Sequence, residues 1–260
     1  MSRLITCIYI EGKKLLRSRT PVVTTLALTM IPFMGGFFMF VLKDPALALK
    51  LGFISTKAQL LGSADWPSYF NLLTQAIAIG GILVFGFVTS WIFGREYSDR
   101  TVVDLLAVPT PRSIIVLAKF IVATLWCFAL SLYVLILGYI VGKLVNIPAW
   151  SFPVTSQGAY KFLACSLLTI SLSTPVGLVA SIGRGYLPPL AFTTLALVLA
   201  QIMAAIGYGH YFPWSIPALV SGITGGSHPV FDQTSLTIVL LTSTLGLVGT
   251  ILWWQYADQY

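Results

Sequence analysis

Charged side chains concentrate in one short stretch of this sequence, and their spacing favours ion pairing along a helix. Five of the ten residues from 95 to 104 are charged, and Tyr97 is a sixth ionisable residue, whereas charged residues make up 9% of the whole chain. Three oppositely charged pairs lie four positions apart, where helical side chains are neighbours. They are Arg95 with Asp99, Glu96 with Arg100, and Arg100 with Asp104. Since a charged side chain costs about 2.5–3.5 kcal/mol at the centre of a bilayer, this stretch belongs in water or against another protein.

The same stretch also has one apolar face, formed by Val102, Leu105 and Leu106, and two prolines follow it. The pattern predicts a short amphipathic cytoplasmic helix over residues 95–108. Each exposed ion pair contributes only about 0.3–0.5 kcal/mol to the stability of a helix. Stability alone therefore does not explain why this segment has so many charges. We interpret the segment as a docking helix for a cytosolic partner. The alternative is a solvated loop in which the pairs are incidental.

The elements that must position this helix are long apolar segments. The chain has 260 residues, of which 57% are hydrophobic, and a bilayer-spanning helix needs about 20 mostly apolar residues. Six segments meet or approach that length: residues 21–42, 70–93, 114–141, 162–182, 187–208 and 235–254. Because these runs are continuous and lack the alternation of barrel strands, we predict an all-α polytopic membrane protein. It has six transmembrane helices in a single domain, residues 1–260.

Basic residues set the expected orientation. They cluster before the first span and in the even-numbered loops, so the positive-inside rule places both termini in the cytoplasm. Residues 1–20 have apolar positions at helical spacing, which predicts an amphipathic helix on the cytoplasmic interface; the alternative is a simple basic anchor. The basic side chains expected at the membrane interface are Lys13, Lys14, Arg17, Arg19, Arg112 and Lys119. Lys119 lies two turns into the third span, from which it reaches either the headgroups or a carboxylate of residues 95–104.

Polar residues inside the later spans have two interpretations. Thr169 and Ser173 belong to a hydroxyl-rich stretch of the fourth span, and Gln201 lies in the fifth. Such residues serve close helix packing, which we favour, or line a polar pathway. Residues 209–232 are rich in aromatic residues, glycine and proline, which predicts an interfacial or re-entrant outer segment between the fifth and sixth spans.

Several kinds of chemistry have no residues to perform them. The six predicted spans contain no Asp or Glu, whereas ion-coupled transporters usually need such a group near the midplane. No phosphate-binding loop is present, and neither catalytic nor metal-binding spacing is found. We therefore expect no enzyme activity and no cofactor in this chain; ATP and Mg²⁺ for active transport would be bound by a separate subunit.

The residues around the charged stretch carry a family resemblance. The residues concerned are Phe93-Gly94-Arg95-Glu96-Tyr97, Arg100-Thr101, Leu105-Leu106, Pro109, Arg112 and Ala118-Lys119. Together they resemble the cytoplasmic signature of ABC transporter type-2 permeases. These are membrane subunits of bacterial exporters, including bacitracin and lantibiotic self-protection permeases. The segment Phe212-Pro213-Trp214-Ser215-Ile216-Pro217-Ala218-Leu219 extends the resemblance, which covers essentially the whole chain. Relatives often have Gly-Thr at the position where this sequence has Asp99-Arg100-Thr101. We expect this difference from the family pattern to affect which partner protein the chain prefers.

The resemblance implies a six-span half-transporter in the bacterial cytoplasmic membrane. It would pair with itself or a sister permease, contact lipid, and dock two ATPase subunits, without binding nucleic acid. In that family, the segment matching residues 95–106 is the coupling helix, which meets the ATPase. The resemblance therefore implies that this contact, or the bracing of the helix, is made by Glu96, Asp99, Arg100 and Asp104. The docking face of the helix includes Leu105 and Leu106. Arg95, Arg112 and Lys119 fix the helix against the span ends and lipid.

The sequence therefore favours the permease of an ATP-driven exporter for an amphipathic, peptide-like or lipid-like substrate. One alternative is a secondary transporter or channel without an ATPase. The other is a non-transporting sensor or assembly subunit.

Overall fold

The computed structural model describes residues 2–43, 63–102, 110–222 and 233–257, and within these ranges the protein is a helical bundle. The helices are α1 (Ser2–Leu16), α2 (Thr20–Lys43), α3 (Trp66–Ser98), α4 (Arg112–Leu144), α5 (Phe152–Ser171), α6 (Thr174–Ile182), α7 (Leu187–Ala205), α8 (Ile216–Ser221) and α9 (Gln233–Tyr256). Six membrane-spanning segments are long and apolar enough to cross a bilayer, with α5 and α6 together forming the fourth. The predicted six-span all-α fold is confirmed.

Helix α3 is the centre of the bundle and packs against α2, α4, α5, α6 and α7. It has 33 residues, as does α4, so each is about 50 Å long, well beyond the hydrocarbon thickness of about 30 Å. The ends of both helices therefore project past the hydrocarbon, which is where their charged residues lie. Asp65 caps the start of α3 by accepting a hydrogen bond from the Ser68 amide at 2.9 Å.

The N-terminal helix α1 is separate from the first span and packs mainly against α4. Leu15 is buried, whereas Ile5, Tyr9 and Leu16 are exposed. The helix therefore has one face on the bundle and another apolar face open.

The fourth span is broken between α5 and α6, and Pro175 explains the position of the break. Pro175 has no amide hydrogen, and its ring excludes the carbonyl four residues earlier, that of Ser171. The released Ser171 carbonyl instead accepts a hydrogen bond from Ser243 Oγ in α9 at 2.9 Å. Thr174 Oγ1 donates in turn to the Ser243 carbonyl at 2.9 Å. Helix α9 thus bridges the break.

This bridge requires α9 to approach the broken span closely, and Gly246 permits the approach. A Cβ atom on Gly246 would lie 2.5 Å from the Pro175 nitrogen and 2.7 Å from the Thr174 carbonyl carbon. These are backbone atoms, so no side chain can move aside to make room.

We expect Gly246→Ala to lower the free energy of unfolding by about 1–3 kcal/mol, the cost of overpacking. Gly12→Ala in α1 is the matched control, because a Cβ there meets nothing within 4 Å and alanine favours a helix by about 0.5–1 kcal/mol. Thermal unfolding of the detergent-solubilised chain measures both. Equal melting temperatures for the two variants would contradict the close approach.

Residues 209–222 form two 3₁₀ turns, Gly209–Tyr211 and Pro213–Ser215, followed by α8. Trp214 is buried and packs edge-on against Phe192 of α7, with ring centroids 5.4 Å apart. The rest of the predicted outer segment, residues 223–232, lies outside the described residues.

Candidate functional site

Four charged side chains from three helices form a cluster at one end of the bundle. We call Glu11, Lys14, Glu96 and Lys119 the charge cluster. Lys119 Nζ lies 2.9 Å from Glu11 Oε2 and 3.1 Å from Glu96 Oε1. Lys14 Nζ lies 3.0 Å from Glu11 Oε1 and 2.9 Å from the same Glu96 oxygen. Two carboxylates and two ammonium groups therefore alternate, and their formal charges cancel.

Local structure explains how each helix contributes. Glu11 and Lys14 are three positions apart in α1, so their side chains lie on one helical face. Glu96 lies in the last turn of α3, and Lys119 lies two turns into α4. The cluster thus connects α1 to the ends of the second and third spans.

Glu11, Glu96 and Lys119 are buried and Lys14 is partly buried, and the hydrogen-bonding capacity of Lys119 is filled. Its side chain is 0% exposed, and its ammonium group has three donors. The third hydrogen bond goes to the Ile92 carbonyl at 3.2 Å. The other oxygen of Glu96, Oε2, accepts from Thr101 Oγ1 at 2.8 Å. Buried charges are tolerated when they are paired and hydrogen-bonded in this way.

The protonation state of Lys14 is fixed by the same contacts. Burial by itself would lower the pKa of Lys14, but attraction to Glu11 and the hydrogen bond to Glu96 outweigh it, and the pKa is raised above the ordinary 10.5. A lysine whose folded pKa is raised contributes stability at every pH below its unfolded pKa and loses it only as the pH rises further. Lys14 therefore stays charged throughout the physiological range.

Within the described residues, the structure corrects the first part of the predicted helix over residues 95–108, because no continuous helix runs from residue 95 to residue 102. Residues 95–98 are the last turn of α3, Asp99 is its C-cap, and Arg100 has a left-handed backbone with φ of 58°. Arg95 Nε still pairs with Asp99 Oδ2 at 3.4 Å. The helical register needed to pair Glu96 with Arg100 is lost at this turn, and Glu96 binds lysines instead. Asp104, Leu105 and Leu106 lie outside the described residues.

The basic residues predicted at the membrane interface occupy different environments. Lys119 is buried and pairs with Glu96, a carboxylate of residues 95–104, which is the second of the two alternatives. Lys14 is partly buried in the same cluster, whereas Lys13, Arg17 and Arg19 are exposed. Arg112 donates to the Trp254 carbonyl at 3.0 Å, which fastens the start of α4 to the end of α9.

The three candidate pathway residues lie in different environments. Thr169 and Ser173 are buried and donate to carbonyls of their own segment, those of Cys165 and Ile170, at 2.9 and 2.7 Å. Gln201 is on the exposed face of α7. The first two therefore have local backbone partners, as short hydroxyl side chains in helices often do.

Sequence reasoning missed Glu11 and Thr101 as members of the site. Glu11 was recognisable as the one acidic residue of α1, three positions before Lys14. No spacing rule connects it to Lys119, which is 108 positions away.

The protein is a multi-pass membrane protein with six spans. Its charge cluster joins an N-terminal helix to the ends of two spans, an architecture that suits a transporter subunit. Residues 7–201 match the family described as ABC-2 family transporter protein, and the chain belongs to this family. It is also 27% identical over 179 residues to the bacitracin transport permease protein BCRB of Bacillus licheniformis, an alignment covering 68% of this chain and 85% of that protein.

The resemblance inferred from the charged stretch is confirmed, and the protein is a membrane transporter permease subunit. Membership of this family implies an ABC ATPase partner in general. The matched range includes all four residues of the charge cluster.

Proposed function

We propose that this chain is the permease of an ATP-driven exporter and that the charge cluster couples it to a separate ATPase. The observation that carries this proposal is the joining of α1, α3 and α4 by buried ion pairs at one end of the bundle. On this proposal that end faces the cytoplasm of a bacterial cell, as the positive-inside rule favours.

The exposed turn after α3 is the docking point for the ATPase in this proposal. Asp99 and Arg100 are exposed, as are Lys13 and Arg17 on α1. The turn is tied to the cluster because Thr101 donates through its amide to the Glu96 carbonyl at 2.9 Å and through its hydroxyl to the carboxylate. A force on this turn is therefore applied directly to Glu96.

The buried pairs make such a force effective. Breaking one buried ion pair by removing a partner costs about 3–5 kcal/mol, whereas an exposed pair contributes only about 0.3–0.5 kcal/mol. Movement of the docked ATPase would then displace α1, α3 and α4 as one body and switch the access of the spans. ATP and Mg²⁺ would be bound by the partner, so this chain carries no enzymatic activity of its own.

The remainder of the proposal concerns the substrate and the second permease. The apolar spans favour an amphipathic, peptide-like or lipid-like substrate, and the relative named for bacitracin transport supports an exporter of such compounds. Two permeases, identical or related, would enclose the pathway between them and contact membrane lipid around it. Exposed Gln201 on α7 is a side chain that a second permease would cover, since a polar residue in lipid gains from a partner across helices.

The test is the association of the chain with an ABC ATPase in its own host. We expect an ATPase to co-purify, and we expect Arg100→Glu to weaken its binding about tenfold, the equivalent of roughly 1.4 kcal/mol. The melting temperature of the variant should be unchanged, because Arg100 is exposed.

The matched control is Lys143→Glu, the same reversal of charge on an exposed residue at the far end of α4. It should leave ATPase binding unaltered. Transport that survives without any ATPase would contradict the exporter and favour a secondary transporter or channel. An ATPase complex that moves no substrate would favour a sensor or assembly subunit.

A further inference from the structure

A small polar pocket lies at the end of the bundle opposite the charge cluster. It is about 220 Å³ in volume and opens between the first turns of α3 and the first half of α5. Its polar lining consists of Asn71, Thr74, Gln157 and Lys161. Asn71 precedes Glu96 by 25 positions in the same helix, a distance of about 37 Å. The pocket and the cluster therefore lie near opposite boundaries of the hydrocarbon layer, which is about 30 Å thick.

The walls of this pocket are held by close helix packing. A Cβ atom on Gly158 would lie 2.5 Å from Cγ of Phe70, so α5 and α3 approach as closely there as a glycine allows. A Cβ atom on Gly222 would lie 3.4 Å from Lys161 Nζ, which places the end of α8 beside the ammonium group.

Lys161 is the charged group of the pocket. Its Nζ donates to Asn71 Oδ1 at 3.0 Å, and within the described part of the chain no carboxylate forms an ion pair with it. An ammonium group has three donors, and the side-chain amides of Asn71 and Gln157 supply further N–H groups. Among the described residues, the polar lining is thus rich in donors and includes no acidic side chain, which is the chemistry that an anion requires.

An apolar groove lies further along the same helix, α5. It has a volume of about 470 Å³ between α5 and α9, and its walls include Leu163, Ala164, Leu167, Val239 and Leu240. Ala164 is three positions after Lys161 and is its neighbour on the helix surface. The groove continues to Ser171, about 15 Å beyond Lys161 along the helix axis.

We propose that the pocket and groove together bind a membrane amphiphile, with its anionic group on Lys161 and its apolar chain in the groove. Basic pockets between transmembrane helices are suited to anionic headgroups. The pocket lies about 37 Å from the charge cluster along α3, which exceeds the hydrocarbon thickness of about 30 Å. The site takes its ligand from the lipid layer rather than from water, because half of it is an apolar surface. This inference rests on the proposed exporter function, for which it names the substrate class.

The test measures lipid binding to the purified full chain in nanodiscs of unlabelled phosphatidylcholine. The probes are fluorescent phosphatidylglycerol, which is anionic, and phosphatidylcholine with the same fluorophore, which is zwitterionic. We expect the chain to bind the anionic probe at least about tenfold more tightly. Lys161→Gln should remove most of this preference, whereas Lys143→Gln should retain it, because Lys143 is a lysine outside the pocket. Equal binding of the two probes, or an unchanged preference in Lys161→Gln, would overturn the proposal.

Two further arms test the groove and the source of the ligand. Ala164→Phe places a ring in the groove and should weaken both probes severalfold while keeping their ratio; unaltered binding would overturn the assignment of the groove. Inorganic phosphate at millimolar concentration should not displace the anionic probe. Displacement by phosphate alone would show a site for soluble anions and would overturn the amphiphile site.

The assay contains neither ATPase nor nucleotide, so its outcome is separable from that of the proposed function. Loss of the lipid preference with normal ATPase association overturns the binding site alone. Absence of an ATPase partner with the lipid preference intact overturns the exporter and leaves the binding site in place.

Discussion

Replacement of Lys119 by Met is expected to lower the free energy of unfolding by about 3–5 kcal/mol, the largest effect of any single substitution considered for this chain. Lys119 is fully buried and donates to Glu11, Glu96 and the Ile92 carbonyl. Methionine preserves much of the side-chain volume but leaves two carboxylates sharing only Lys14. The cost is that of a buried charge left without its partner.

Thermal unfolding of the detergent-solubilised chain measures this loss, and limited trypsin digestion adds a readout of its location. Cleavage at Lys13 and Arg17 should accelerate in the variant, since Lys119 contacts Glu11 of α1. Lys143→Met is the control, because this exposed lysine is in the same helix and its ammonium group lies over the rings of Tyr139 and Trp150, with no ion pair to a described residue. We expect it to cost no more than about 1 kcal/mol. Similar losses in the two variants would show that burial of Lys119 has no special role.

The six spans were predictable because their signal is local and strong. About 20 consecutive apolar residues have few alternatives to crossing a bilayer, and the structure has six such segments in the expected order. The break in the fourth span was not predicted, although Pro175 follows a hydroxyl-rich run. Its stabilising partner Ser243 has no sequence signal, since it is 72 positions from Ser171.

The prediction for residues 95–108 shows the limit of spacing rules. Pairs at i,i+4 favour a helix only by a few tenths of a kcal/mol, and here a stronger set of contacts decides the conformation. Glu96 binds Lys14, 82 positions before it, and Lys119, 23 positions after it. Helix α3 accordingly ends after Glu96 has reached both lysines, and the chain turns at Arg100. Tertiary pairing of this kind has no periodicity in the sequence.

Polar residues within the spans were ambiguous for a related reason. Hydroxyl groups such as those of Thr169 and Ser181 donate to carbonyls four positions earlier in their own helices. Such a bond satisfies the side chain whether it faces a neighbouring helix or a pathway. Sequence position alone therefore cannot assign these hydroxyl residues to transport. Lys161 was overlooked for another reason: it precedes the predicted fourth span, and its pocket is created only by the packing of α3 against α5.

Restoring charge balance within the cluster is expected to recover part of the stability lost in Lys119→Met. Glu11→Gln alone leaves Lys14 and Lys119 with the single carboxylate of Glu96, so we expect it to be strongly destabilising as well. The double variant Glu11→Gln/Lys119→Met removes one charge of each sign. It retains the pair between Lys14 Nζ and Glu96 Oε1, which are 2.9 Å apart.

The double variant should therefore cost less than the sum of the two single variants by about 1–3 kcal/mol, the coupling found for residues in one network. The control cycle is Arg95→Gln with Asp99→Asn, because that pair is partly exposed and its coupling should not exceed about 0.5 kcal/mol. Tryptic cleavage of α1 in the double variant should remain slower than in Lys119→Met, since the surviving pair still joins α1 to α3. Additive losses within about 0.5 kcal/mol would mean that the four side chains stabilise the bundle independently, and the connection between α1 and the two span ends would then not depend on their pairing.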